Sequence, residues 1–190
     1  MDNAIAKIYQ SPKTVLTTAD LALIWRERNR DNLKSRISYY VKQGDIIRLS
    51  RGIFVKDKDY DPKELAASVY KPSYISFETV LREAGFVFQY YENIFVAASW
   101  PGHKEIDGKK ITFRKLKDKV LFNSYGIEYG NNYSVATPER AFLDTVYLFP
   151  KYYFDNLGNL NWERCFEMVK MYDNCELEKR LNNYYKKYAK

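Results

Sequence analysis

The chain has 190 residues, of which 46% are apolar and 29% charged, and a formal net charge of +7. That composition excludes a wholly disordered chain and predicts a soluble one; the length allows one good-sized domain, or a small one joined to a medium one. No apolar run approaches the roughly 18 residues of a membrane span. The start, Met1-Asp2-Asn3-Ala4, lacks the basic and apolar regions of an export signal, so no membrane association and a cytoplasmic location are expected. Cys165 and Cys175 are the two cysteines; their spacing fits neither a CxxC pair nor a disulfide framework, which agrees with a reducing compartment.

Residues 3–9 predict a short helix ended by Ser11-Pro12, followed by an extended stretch at Val15-Leu16. Thr17 or Thr18 supplies an N-cap, with Asp20 in the first turn of a second helix that runs to Trp25. A polar turn, Arg26 to Asn29, leads to a third helix over Arg30–Gln43. There Leu33, Ile37, Tyr40 and Val41 make an apolar stripe, and Gly44 is placed to stop the helix. Ile46 to Leu49, the turn Ser50-Arg51-Gly52, and Ile53 to Val55 predict a hairpin with glycine in the loop. The core expected for this region is Leu21, Ile24, Trp25, Leu33, Ile37, Val41, Ile47 and Phe54.

Most of the charge excess sits in this region. Residues 26–56 carry nine Lys/Arg against three Asp/Glu, whereas residues 61–150 carry eleven of each. A concentrated positive excess recruits polyanions through counterion release. Three short helices followed by a basic hairpin is the order of a winged helix-turn-helix, and a helix fits the major groove of DNA. The predicted DNA contacts are Arg28 and Arg30 at the approach to the third helix, and Asn32, Lys34, Ser35, Tyr39 and Lys42 on its outer face. Arg48, Ser50, Arg51 and Lys56 complete the set on the wing. The competing reading is a three-helix protein-interaction module with a solvated basic face.

A domain boundary is expected at the polar segment Asp57–Pro62, giving a DNA-binding domain over 1–58 and a mixed domain over 59–190. A helix from Pro62 through Tyr70, another over Ser76–Ala84, and strands at Ile94–Trp100 and Lys110–Leu116 follow. A loop is expected to begin at Pro101-Gly102, and further β pieces lie at Val120–Tyr125 and Tyr133–Val135. Thr137-Pro138-Glu139 combines an N-cap, a proline at the first helical position and an acidic second position, so a helix opens there and runs to Leu148. The tail beyond Pro150 reads as helical, and its tyrosines as packing residues.

No catalytic residue, cofactor or metal site is predicted. His103 is the single histidine, and no phosphate-binding lysine motif, GxGxxG or GxSxG is present. Asp107 and Lys109 have the D-x-K spacing of some metal-dependent nucleases, but Asp107-Gly108 reads better as a hairpin turn. Glu139, Arg140 and Asp144 on one helix are explained by capping, dipole compensation and salt bridging.

Two stretches carry a family resemblance: Thr18-Ala19-Asp20-Leu21 through the Gly44–Val55 hairpin, and Tyr74–Leu81 with the later block Ala136-Thr137-Pro138-Glu139-Arg140-Ala141-Phe142-Leu143-Asp144. Over roughly residues 3–150 this order resembles the AbiEi-like antitoxin and transcriptional-regulator family of abortive-infection type IV toxin–antitoxin systems. The resemblance implies an α+β protein whose winged N-terminal domain binds and represses its own promoter. Its second domain, a mixed α/β domain of antitoxin type with a helical C-terminal tail, would counteract a nucleotidyltransferase-type toxin, with or without a stable complex. The alternative is a single-component winged-helix repressor with a ligand-sensing or dimerising second domain.

Overall fold

A tryptophan at the end of a short helix organises the first part of the chain. In the computed structural model, which describes residues 4–130 and 132–189, the chain forms two compact units, Met1–Val69 and Tyr70–Lys190. Asn3, in the first predicted helix, lies outside the described residues.

The first unit contains α1 (Ala4–Gln10), β1 (Val15–Thr17), α2 (Thr18–Trp25), α3 (Arg30–Gln43), β2 (Ile47–Ser50), β3 (Ile53–Val55) and α4 (Pro62–Val69). Trp25 is buried and donates its indole N–H to the Ala4 carbonyl at 3.0 Å, tying α1 to α2. Around it pack Ile8, Leu16, Leu21, Leu33, Ile37, Ile46 and Phe54. Ile24, Val41 and Ile47, expected in this core, are only partly buried. Ile46 fills the position expected for Ile47, because a shift of one residue in extended chain turns a side chain to the other face.

Thr17 caps α2 with a reciprocal box. Its hydroxyl accepts from the Asp20 N–H at 3.2 Å, and the Asp20 carboxylate accepts from the Thr17 N–H at 2.8 Å. Burial pushes the Asp20 carboxyl up, but hydrogen bonds from Lys13 and Thr17 outweigh it and hold the group below its usual range. The α3 ends fall where the sequence puts them. The Asn29 side chain accepts from the N–H groups of Asp31 and Asn32, and Gly44 takes the left-handed conformation at φ 81°.

The strands form an antiparallel sheet in the order β1-β3-β2. Its β2–β3 turn begins one residue later than predicted, since Ser50 belongs to β2, and the pairing shifts register between Arg48 and Ser50. The unit continues past the polar segment at 57–62, where the sequence suggests a boundary. Glu64 of α4 accepts from the Thr14 N–H at 2.9 Å and the Thr14 hydroxyl at 2.6 Å, and Leu65 and Ala66 are buried.

The second unit is built on a six-stranded mixed sheet. Its elements are β4 (Ser73–Ile75), α5 (Glu78–Glu83), β5 (Ile94–Ala98), β6 (Gly102–Ile106), β7 (Lys109–Lys115), α6 (Asp118–Leu121), β8 (Ile127–Gly130), β9 (Tyr133–Ala136), α7 (Pro138–Leu148), α8 (Trp162–Met168), a 3-10 turn at Val169–Tyr172 and α9 (Cys175–Tyr188). The strand order is β6-β7-β5-β4-β9-β8.

Several local expectations are corrected here. The helix predicted over Ser76–Ala84 shortens to α5, because the Ser76 N–H donates to the Phe95 carbonyl of β5 at 3.1 Å and Phe77 takes a non-helical backbone at φ 56°. The loop predicted at Pro101-Gly102 gives way to β6 at Gly102, which pairs along β7 through the Asp107-Gly108 turn. Both turn residues have positive φ, 50° and 70°. The β piece predicted over Val120–Tyr125 is the short helix α6 and a turn, with Val120 and Leu121 buried from a helical backbone. The tail is irregular until α8, though Phe154, Leu157 and Leu160 are buried within it.

The polar residues of the Thr137–Asp144 block form the centre of the second unit. Thr137 caps α7 by accepting from the Arg140 N–H. Arg140 and Asp144 are both 0% exposed and form an i,i+4 ion pair at 3.2 Å. The guanidinium also donates to the carbonyls of Val120 (2.7 Å), Tyr125 (2.7 Å) and Asn123 (3.3 Å), and to the Tyr74 hydroxyl at 3.0 Å. Asp144 in turn accepts from the hydroxyls of Tyr74, Ser76 and Tyr172 at 2.9, 2.9 and 2.6 Å. Burial, with Asp144 beside them, pushes the Tyr74 and Tyr172 phenols up, so both stay protonated as donors.

The tail tyrosines pack. Tyr184 lies edge-on to Phe142 and Phe154 and donates to the Tyr152 carbonyl, and Tyr188 donates to the Phe154 carbonyl at 3.1 Å. Among the described residues no helix is long and apolar enough to cross a membrane.

Two stability outcomes are expected. Arg140→Ala strands a buried carboxylate and is expected to lower stability by about 3–5 kcal/mol, with Arg140→Lys failing to restore it, because an ammonium cannot reach the same spread of acceptors. Urea unfolding of the two variants checks this. Asp20→Asn is expected to cost about 1 kcal/mol at neutral pH. The folded carboxyl titrates below its ordinary 3.8, so its contribution is complete above that value and disappears as pH falls through the lower folded one. Wild type and Asp20→Asn should therefore converge in acid, as unfolding at stepped pH will show.

Candidate nucleic-acid interface

The apolar stripe of α3 faces the core through Leu33 and Ile37, so its opposite face is left to solvent. Asn32, Lys34, Ser35, Tyr39 and Lys42 are all exposed there. The seating of α3 is aromatic. Tyr40 lies 5.5 Å from Trp25, Tyr39 meets Tyr40 edge-on at 5.2 Å, and the Arg36 guanidinium sits 5.1 Å over the Trp25 ring. Tyr39 keeps 57% of its surface exposed while its edge is held by Tyr40.

The β2–β3 hairpin lies beside α3. Its turn needs glycine: Gly52 has φ 79°, and an added Cβ would sit 3.4 Å from the Thr18 hydroxyl. The Gly52 carbonyl accepts from the Thr18 N–H at 3.0 Å, which fixes the turn against the first residue of α2. Phe54 is buried in the core below, and the Arg48 guanidinium lies 5.4 Å over its ring.

These contacts leave a cleft of about 430 Å³ lined by Thr18, Lys34, Ile37, Ser38, Arg48, Arg51, Gly52 and Phe54. Three cations from two elements meet there, with two hydroxyls and no carboxylate in the lining. Lys34 also pairs with Asp31 at 3.3 Å, but both side chains are largely exposed, so the pair is weak and the lysine stays available to a stronger anion. Guanidinium, ammonium and hydroxyl donors on one concave surface suit phosphate oxygens.

The eleven residues predicted from the sequence are therefore not all brought together. Lys34, Arg48 and Arg51 line the cleft, while Asn32, Ser35, Tyr39 and Lys42 occupy the outer surface of α3. Arg28 and Arg30 are exposed on either side of the capping residue Asn29. Ser50 is half-buried in β2. Lys56 is engaged elsewhere: its ammonium donates to the Ser11 carbonyl and lies over the Tyr9 ring, and burial lowers its pKa. Thr18 and Ser38 line the cleft without belonging to the predicted set. Ser38 follows Lys34 by one helical turn, and the periodicity of the sequence already puts it on the outer face of α3. Thr18 could not have been found from the sequence, because only the hairpin's fold brings Gly52 to it.

Elsewhere, among the described residues, no group of three or more His, Cys, Asp or Glu side chains is placed to hold a metal ion. Compared with known proteins, the chain matches no protein-family model, and no curated protein shows significant sequence similarity to it.

Polyanion binding separates the arginine at the hairpin turn from the engaged lysine. Arg51→Ala is expected to weaken binding to all duplex DNA sequences about equally and to flatten the log–log dependence on salt by about one unit. Lys56→Ala should leave that slope unchanged. Affinity measured at several salt concentrations distinguishes the two.

Proposed function

We propose that the first unit is a winged helix-turn-helix and that the protein is a DNA-binding transcriptional repressor acting on its own promoter in the cytoplasm. The observation that carries this reading is the meeting of Lys34 from α3 with Arg48 and Arg51 from the hairpin in one cleft, beside an α3 face that is free to enter a groove. In this reading α3 lies in the major groove, where Asn32 can hydrogen-bond an adenine edge and Tyr39 offers an apolar surface. Lys34, Lys42, Arg28 and Arg30 meet phosphates, and the β2–β3 hairpin is the wing. The second unit, following the resemblance, counteracts a nucleotidyltransferase-type toxin encoded beside it.

Base reading and neutralisation are tested separately on the intact chain. Asn32→Ala is expected to relax preference at one operator position, at a cost of about 1–3 kcal/mol there, without weakening binding to random duplex. Equal loss on operator and random DNA would remove Asn32 from base contact. Arg51→Ala should still protect cells co-expressing the neighbouring toxin gene while losing repression. If the wild-type chain protects against no adjacent gene product, the antitoxin half of the proposal fails and a single-component repressor is the better account.

A further inference from the structure

One face of the second unit's sheet carries a groove that the DNA-binding reading does not use. Along it Thr112 and Arg114 of β7 lie in register with Phe95 and Ala97 of β5, and Thr112 also pairs with His103 of β6. Two clefts of about 530 Å³ each lie on this groove. Glu78, Lys151 and Tyr152 help to line one; Phe95, His103, Thr112 and Lys115 help to line the other. Both clefts share Arg114 and Phe149, and the Phe149 ring, 38% exposed, is common to their walls.

The floor is rigid and almost neutral. Arg114 donates to both carboxylate oxygens of Glu78, at 2.5 and 2.9 Å, and its guanidinium lies 4.8, 4.4 and 4.6 Å from the ring centroids of Phe77, Phe95 and Phe149. Glu78 is held there by Phe77, a buried residue in an unusual backbone conformation at φ 56° and ψ −140°. Strain of this kind persists where the surroundings over-determine it and gathers at binding sites. The Glu78 pairing leaves further N–H donors on Arg114. Thr112 and His103 add a hydroxyl and an imidazole, hydrogen-bonded to each other at 3.1 Å. The Tyr152 hydroxyl is buried beside Tyr91 without a well-formed hydrogen bond. Lys151 and Lys115 are exposed, one on each cleft.

A partly exposed aromatic ring shared by two clefts, a hydroxyl and an imidazole beside the paired Glu78 and Arg114, and a lysine on each side match the chemistry of unpaired bases joined by phosphates. A duplex, whose bases are already stacked, offers no ring to Phe149. An acidic peptide would find only the lysines. We propose that this groove binds single-stranded nucleic acid, with a base stacked on the side of Phe149 that Arg114 leaves open and the flanking phosphates at Lys115 and Lys151. The proposal shares no residue with the α3–hairpin interface and does not rest on it.

The test uses the intact chain carrying Lys34→Ala, Arg48→Ala and Arg51→Ala, which removes the three cations of the first unit's cleft, with fluorescence anisotropy of labelled octamers rU8, rA8 and dT8. The octamers are expected to bind, and an unlabelled duplex of equal length to compete poorly. Phe149→Leu, which keeps an apolar side chain but removes the stacking face, is expected to weaken binding about tenfold. Lys115→Glu with Lys151→Glu, both on the surface and harmless to folding, should weaken it further and flatten its salt dependence. Tighter binding of the RNA octamers than of dT8 would identify RNA as the source of the strand, and the reverse DNA. Absence of octamer binding overturns the proposal, as does affinity unchanged by all of these variants. Free AMP binding as tightly as rA8, or octaglutamate competing as well as an octamer, overturns it too, in favour of a mononucleotide pocket or of charge alone.

Discussion

The second unit depends on one buried ion pair. Arg140 and Asp144 are both fully buried, and two isolated charges at that depth would cost far more than their attraction returns. The cost is offset because each remaining donor and acceptor finds a partner on a different element. Val120 belongs to α6, Asn123 and Tyr125 to the following turn, Tyr74 and Ser76 to β4 and its continuation, and Tyr172 to the 3-10 turn. The pair thus fixes the position of four segments relative to α7. It also explains why part of so polar a helix start is buried: Thr137 caps α7 and Arg140 anchors it to its neighbours. The Thr137–Asp144 block is accounted for by architecture, with its polar side chains buried.

The same dependence of a surface on what lies beneath it governs the first unit. Lys34 and Arg48 reach one cleft because Ile37 and Phe54, their neighbours in the lining, are buried in the core around Trp25. The position of Arg51 is set by the Gly52 turn, whose carbonyl is held by the Thr18 N–H. Cations gathered in one cleft must be held close together against their mutual repulsion. Here the packing of Arg48 over Phe54 and the cap at Thr17 do that before any ligand arrives. Preorganisation of this sort lowers the entropy lost on binding.

The two polar clusters differ in what they leave available. The Arg140 cluster is dry and saturated with partners, so it specifies structure. In the α3–hairpin cleft three cations have no carboxylate among the lining residues, and on the sheet groove the Glu78–Arg114 pair is neutral yet keeps unused donors. Unspent hydrogen-bonding capacity on a concave surface, more than charge by itself, distinguishes both clefts from the Arg140 cluster.

Much of the first unit was legible in the sequence. The cap at Thr17 or Thr18, the stop at Gly44, the stripe through Leu33 and Ile37, and the basic hairpin are local signals, set by side-chain hydrogen bonds and periodicity within a few residues. So was α7, whose Thr-Pro-Glu start fixes its first turn. The assignments that went astray depended on distant partners. Ser76, expected to open a helix, instead donates its N–H to the Phe95 carbonyl of β5, and Val120 to Tyr125 became a helix end and a turn where Arg140 collects its carbonyls. Lys56, basic and next to the hairpin in sequence, was taken up by Ser11 and Tyr9. Thr18 was brought to the cleft by a glycine 34 residues further on. By itself the sequence determined which segments could be helices and where positive charge accumulates, because those follow from neighbours along the chain. Only the tertiary structure decided which of those charges share a cleft and which polar side chains are buried, because pairing and burial are set by contacts between residues far apart in sequence.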